Sequence, residues 1–178
     1  MAELVNMAGD GLPLYLWGKM AEPGEDAWEV GRRRARRDGG SFSYVNTVMM
    51  EQKGRPVACL IGYRLPDAPE PIAYEKMPAM FVGMQELENL APKTWYVNVV
   101  ATYPELRGKG LGTSLLSLAE DIAIDTGASG MSIIVADSNA GARRLYARTG
   151  YREAATRRAV KESWKSPAEN WVLLVKDF

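Results

Sequence analysis

The stretch "TWYVNVVATYPELRGKGLGTSLLSLAEDI" constrains the fold more than any other part of this 178-residue chain. It opens with a nearly continuous apolar run, the pattern of a strand buried on both faces. A glycine-rich loop follows, and then Leu111, Leu115, Leu118, Ala119 and Ile122 recur at helical spacing until Gly127 ends the pattern. "MSIIVA" reads as a second buried strand. "NAGARRLYARTG" reads as a second helix, with Ala142, Leu145, Tyr146 and Thr149 on one face and Gly150 as its cap. Strand, helix and strand in such close succession imply a right-handed crossover joining two parallel strands.

The remaining segments supply antiparallel neighbours. "SFSYVNTVMME" and "RPVACLIGYRL" are rich in β-branched and aromatic residues, and "QKG" between them suits a hairpin turn. "YREAATRRAV" and "NWVLLVKDF" read as two further strands joined by a polar loop. A Pro-studded linker leads into a predicted helix from about Ala79 to Leu90, closed by Pro92. "EDAWEVGRRRARRDGG" reads as a helix opened by acidic residues and closed by Gly39 and Gly40, which suits the helix dipole at both ends. Residues 1 to 24 are broken by Gly9, Gly11, Pro13, Pro23 and Gly24 and predict one short helix around Leu14 to Met20. The length fits one domain over residues 1–178.

Composition removes several chemistries. There is no His, so Ser-His-Asp and Cys-His nucleophilic pairs and the usual His-rich zinc motifs are excluded. No metal is expected. Acid and base work falls to carboxylates, Tyr, Lys, Cys or ordered water. The 22 basic and 22 acidic residues cancel, so no global field draws the chain to nucleic acid or an anionic membrane. The run "LPLYLWG" is too short to span a bilayer, and the single Cys59 cannot form an internal disulfide; both fit a soluble cytoplasmic protein.

The glycine loop joins the end of a buried strand to the start of a helix. Unpaired amides and the positive end of the helix dipole converge there, which suits a phosphate group. Glycine lets the main chain approach a diphosphate and supplies unusual φ values. The alternative is that the glycines only build a tight turn. Gly108, Gly110 and Gly112 make G-x-G-x-G, which matches neither the phosphate loop G-x-x-x-x-G-K-[ST] nor the dinucleotide pattern G-x-G-x-x-G.

The spacing R-x-x-G-x-G, carried by Arg107, Gly110 and Gly112 directly after a strand, resembles the acyl-coenzyme A loop of the GNAT superfamily of N-acetyltransferases. "NAGARRLYARTGY" is similar to the family's N-x-x-A-x-x-L-Y-x-x-x-G-[FY] through Asn139, Ala142, Leu145, Tyr146, Gly150 and Tyr151. The resemblance covers about Trp95 to Tyr151, and the first forty residues carry no motif. It implies an α/β (α+β) three-layer fold: a mixed, mostly antiparallel sheet of about six to seven strands, helices on both faces, and two central parallel strands splayed to admit acyl-CoA. It also implies roles. The backbone of Val100, Ala101 and Thr102 would hold the acetyl group and pantetheine arm. Arg107, Gly108, Lys109, Gly110, Leu111, Gly112 and Thr113 would cradle the diphosphate. Asn139 would bind the pantetheine arm, and Tyr146 would point at the thioester sulfur.

Amine attack on a thioester needs a neutral amine, a donor for the developing oxyanion and a group that stabilises the departing thiolate. A backbone N–H near Val100 suits the second need. Tyr146, with a reference pKa of about 10 against about 8.5 for a thiol, suits the third as a hydrogen-bond donor. By periodicity alone Tyr146 is a core aromatic, and by position Asn139 is equally a helix N-cap. No acid lies on "WYVNVVA" or "MSIIVA"; Glu51, Glu86, Glu88 and Asp137 are base candidates only by elimination, and none is assigned. Asn98 reads as a polar residue closing a hydrogen bond beside the sheet.

The basic run Arg32, Arg33, Arg34, Arg36 and Arg37 reads as a solvated helix surface rather than a nucleic-acid site. Trp164 and Trp171 suit core packing, an acceptor pocket or a homodimer contact. Cys59 reads as a small buried residue. The expectation is an acetyl-CoA-dependent N-acetyltransferase with a primary amine acceptor, small molecule or protein, attacking directly in a ternary complex. The alternative is an acyl-CoA sensor without turnover on the same scaffold.

Overall fold

The computed structural model describes residues 1–178. In chain order the elements are α1 (Ala2–Ala8), α2 (Leu12–Met20), α3 (Ala27–Ala35), β1 (Thr47–Gln52), β2 (Arg55–Arg64), α4 (Ala79–Glu88), β3 (Trp95–Thr102), α5 (Leu111–Asp125), β4 (Gly130–Ala136), α6 (Ala140–Arg148), β5 (Arg152–Arg158) and β6 (Asn170–Asp177). The six strands form one sheet in the order β1-β2-β3-β4-β6-β5. β3 and β4 run parallel, with Trp95 opposite Met131 and Tyr96 opposite Ser132. β1 with β2, β4 with β6 and β5 with β6 are antiparallel. The expected parallel pair within a mostly antiparallel sheet is thus present.

The chain folds as two compact units, Met1–Gly62 with Asn98–Leu116 and Tyr63–Val97 with Ser117–Phe178. In the first, the segment without a motif forms α1, α2 and α3. Trp17 is its hub: it is edge-on to Trp28 with ring centroids 5.9 Å apart and stacked on Phe42 at 5.6 Å, among Ala2, Val5, Val30 and Ile61. Leu4 of α1 packs on Cys59 and Ala101, so an apolar helix face covers the strand ends. Tyr103, just after β3, ties back to α1 through its hydroxyl, which donates to Glu3 at 3.1 Å.

Two boundaries of this unit differ from expectation, both because side chains turn the backbone. α3 starts where Asp26 accepts from the Trp28 amide at 3.1 Å, but it stops at Ala35, well before Gly39. The Arg37 guanidinium donates to the carbonyls of Arg34 and Phe42, each at 3.2 Å, and folds the chain back. The strand read from Ser41 onward begins only at Thr47. Ser43 bonds the Arg37 carbonyl and the Val45 amide, Asn46 bonds the Gly40 carbonyl, and a 3-10 turn covers Tyr44–Asn46. Serine and asparagine offer the backbone these local partners in place of a ladder. The hairpin turn is as read: Lys53 and Gly54 adopt φ of 53° and 72° between paired Gln52 and Arg55, the geometry of a two-residue turn that matches strand twist.

In the second unit α4 packs on β4, β5 and β6, with Met80 and Leu87 buried. It ends at Glu88, two residues before the expected Leu90. Trp95, Val97, Met131, Ile133 and Leu173 are buried among these elements. Buried Ser132 is satisfied by Thr94, the two hydroxyls lying 2.7 Å apart. Trp164 and Trp171 stack with rings 6.0 Å apart and 5° from parallel.

Helix α5 buries Leu115, Leu116, Ala119 and Ala123, whereas Leu118, expected inside, is exposed. At about 100° per residue, Leu118 falls roughly a third of a turn from the middle of that stripe, so one apolar position of the pattern faces water.

Candidate functional site

Val100, Ala101 and Thr102 form the last residues of β3 in the first unit; Ala101 is buried and its two neighbours are half-buried. After Thr102 the chain makes a 3-10 turn over Pro104–Leu106 and reaches Arg107, whose Nε donates to the Thr102 carbonyl at 3.4 Å. That bond closes the base of the loop. Gly108 and Gly110 adopt φ of 75° and 84°, left-handed values that side-chain-bearing residues rarely take. An added Cβ at either would meet no atom within 4 Å, so backbone geometry rather than crowding selects glycine there.

Gly110 caps α5, its carbonyl accepting from the Ser114 amide at 3.0 Å. Before that bond, the backbone N–H groups from Gly108 to Thr113 find no acceptor within the protein. Arg107, Lys109 and Thr113 stand exposed around them, with Leu111 and Gly112 half-buried. Successive free amides at a helix N-terminus, between two basic side chains, make a preorganised anion cradle. The sequence-predicted loop residues are therefore brought together in this unit.

The other two predicted residues lie in the second unit. Asn139 precedes α6, and its Oδ1 accepts from the Ala142 amide at 3.1 Å, the N-cap role. Its carboxamide nitrogen is left for another partner. Asn139→Ala is expected to lower stability by about 1 kcal/mol, a loss that Asn139→Asp avoids; thermal unfolding of the two variants without ligand checks this. Tyr146 is buried on the inner face of α6, its ring 5.8 Å from that of Tyr151. No protein group hydrogen-bonds its hydroxyl. Burial pushes the Tyr146 hydroxyl well above the ordinary tyrosine range, so at neutral pH it is a donor and not a proton source for a thiolate.

The carboxylates named by elimination separate clearly. Glu51 is exposed on β1. Asp137 accepts from the amides of Glu169 at 3.0 Å and Asn170 at 2.9 Å and from the Asn170 side chain at 3.0 Å; burial raises its pKa, but these donors outweigh it and hold the carboxyl low. It is a clamp between the β4 end and β6. Glu86 is paired with Arg157 at 2.6 Å. Glu88 alone is half-buried with no hydrogen-bond or ion-pair partner. Burial first, and then the Glu70 carboxylate, push it up to about 7. Sequence reading did not separate Glu88 from Glu86, because both stand in the last turn of α4 and helix position treats them alike.

Of the basic run, Arg33, Arg36 and Arg37 are exposed, whereas Arg32 and Arg34 are half-buried. Arg32 bonds Glu29 at 2.6 Å within the helix, and Arg33 pairs with Glu25. Cys59 is fully buried. No helix is long and apolar enough to cross a membrane.

A strand, a glycine loop and a helix whose first amides are open form the kind of helix N-terminus that suits an anion. The chain belongs to the acetyltransferase (GNAT) family, whose model matches residues 13–151. The match includes both motifs and most of the helical segment that carries none. No curated protein matches the chain by sequence.

Solved structures share the fold at low identity. A crystal structure of an acetyltransferase matches with a TM-score of 0.62 and 18% identity over 99% of this chain and 92% of that one. A GNAT family acetyltransferase from Elizabethkingia anophelis, with acetyl-CoA bound, matches with a TM-score of 0.57 and 14% identity over 89% and 86%. The ribosomal-protein-S18-alanine N-acetyltransferase from Escherichia coli matches with a TM-score of 0.50 and 20% identity over 74% and 67%.

Proposed function

We propose that residues 1–178 act as one cytoplasmic acetyltransferase domain that moves the acetyl group of acetyl-CoA to a primary amine by direct attack in a ternary complex. The observation that carries this reading is the row of unpaired amides from Gly108 to Thr113. Family membership supports acyl transfer as the chemistry, and the Elizabethkingia neighbour supports acetyl-CoA as the donor. Arg107 through Thr113 hold the diphosphate in this reading. Val100, Ala101 and Thr102 offer backbone groups to the acetyl and pantetheine portions. Asn139 takes the pantetheine arm with its free carboxamide nitrogen, and Tyr146 donates to the leaving sulfur.

Thermal unfolding with acetyl-CoA, CoA and ATP tests the ligand. Saturating acetyl-CoA at about 100 times its Kd stabilises by about 2.7 kcal/mol, and ATP is expected to give little. Release of free CoA thiol across a panel of small amines and peptide N-termini then identifies the acceptor. Stabilisation by acetyl-CoA without thiol release from any amine would turn the reading into that of a sensor.

A further inference from the structure

Two arginines of the basic run line a cavity in the first unit that the proposed chemistry does not use. Arg32, Ala35 and Arg36 are spaced to share one side of α3, with Arg36 as its C-cap. Facing them are Met1 and Ala2 at the start of α1 and Tyr44 from the 3-10 turn before β1, and these six residues enclose an open cavity of about 390 Å³. Its lining is divided between charge and apolar surface. Met1, Ala2 and Ala35 are the apolar side, and the first two pack on the cluster around Trp17. Arg32 uses Nε and Nη2 on the Glu29 carboxylate, at 3.0 and 2.6 Å, which leaves its Nη1 without a partner. Arg36 makes no hydrogen bond or ion pair at all and only acts on Glu29 from a distance. The Tyr44 side of the cavity is exposed yet fixed: its hydroxyl donates to Asp38 at 2.8 Å, and Ser43 and Asn46 hold the turn that carries it. No carboxylate lines the cavity. Glu29, Asp38 and Glu3, the acids around it, are held by Arg32, Tyr44 and Tyr103. Arg33 and Arg37 are engaged elsewhere, with Glu25 and with two backbone carbonyls.

We propose that this cavity is a second ligand site, for a small organic acid whose carboxylate or phosphate meets the Arg32 and Arg36 guanidinium groups while a flat apolar body lies against Tyr44 and the alanines. Two guanidinium groups with open donors, and no carboxylate among the lining residues, select an anion. The aromatic ring and alkyl surface beside them select an apolar body over a bare inorganic ion. The volume lies near the lower end of the roughly 300–1,000 Å³ of small-molecule pockets, which fits one substituted ring better than a chain segment or a coenzyme. None of the six residues belongs to the loop from Arg107 to Thr113, so the site stands whether or not the acetyltransferase reading does.

The test is titration of the whole protein with phenyl phosphate, benzoate, inorganic phosphate and benzyl alcohol by ligand-observed NMR, with saturating CoA present to occupy the glycine loop. At least one of the two aromatic acids is expected to saturate with a Kd on the order of 1 mM, and their ratio shows which acid group the arginines prefer. Inorganic phosphate and benzyl alcohol, each lacking half of the recognition, bind at least about tenfold more weakly. Arg36→Ala weakens the acid at least about tenfold and Arg36→Glu removes saturable binding, since the second change puts a like charge where the anion sits. Tyr44→Ala weakens it about fivefold through the lost ring contact. Arg33→Ala, on the same helix but outside the cavity, stays within about twofold of wild type. Thermal unfolding shows that each variant is folded, and stabilisation by acetyl-CoA is unchanged in Arg36→Ala. No saturable binding of either acid to wild type overturns the site. Binding that survives Arg36→Glu overturns it as well, and loss of that binding in Gly110→Val assigns it to the glycine loop. Equal affinity for inorganic phosphate overturns the claim of an apolar body.

Discussion

Gly110→Val is expected to abolish stabilisation by acetyl-CoA and all acetyl transfer while the protein stays folded. Gly110 has φ of 84°, and nothing lies within 4 Å of where a Cβ would stand, so the substitution meets no steric obstacle in the free protein. The conflict is in the backbone. A β-branched residue in the left-handed region costs roughly 1–2 kcal/mol, and the loop relieves this by rotating to negative φ. That rotation turns the amides around Gly110 away from their common centre. Each charge-assisted amide contact is worth about 1.5–3 kcal/mol, so losing two weakens binding by at least about a hundredfold. Thermal shift with acetyl-CoA and circular dichroism of the free variant separate lost binding from lost fold. Full acetyl-CoA affinity in Gly110→Val would remove the loop from the cofactor site.

Tyr146→Phe is expected to lower kcat about a hundredfold with the acetyl-CoA KM within about twofold. The Tyr146 hydroxyl makes no hydrogen bond to the protein, so its loss strands no partner, and the contact with the Tyr151 ring is kept. Stability should hold or rise slightly. A single preorganised donor aimed at developing charge is typically worth a factor of 10² to 10³. Because burial keeps the hydroxyl protonated throughout the assay range, the variant should scale the pH profile down without moving a limb. Unchanged kcat would return Tyr146 to the role of a core aromatic.

The strand–loop–helix unit is legible in the sequence because its signals are local. An apolar run, two glycines forced into positive φ and an amphipathic helix each leave a mark within a few residues. Of the N-terminal helices, α2 is read to within two residues of its start, but α1 left no mark: it is short, ends at Gly9, and is held by Leu4 meeting Cys59 and Ala101 far along the chain. The missed start of β1 has the opposite cause, since the composition of Ser41 to Asn46 suits a strand while its side chains bond the backbone locally. Asn139 and Tyr146 were visible only through a motif. Glu88 was not separable from Glu86 two residues before it, because what distinguishes them is tertiary: Arg157 reaches one and nothing reaches the other.

Cys59 has a practical consequence at the bench. It is the sole cysteine, has no exposed surface, and burial pushes its thiol up to about 11. A chromogenic disulfide reagent added to the native protein therefore meets a silent background, and every thiolate it counts in a thiol-release assay comes from outside the chain. The same silence makes Cys59 a clock: the rate at which it is labelled in resting protein reports how often the α1 and β2 core opens.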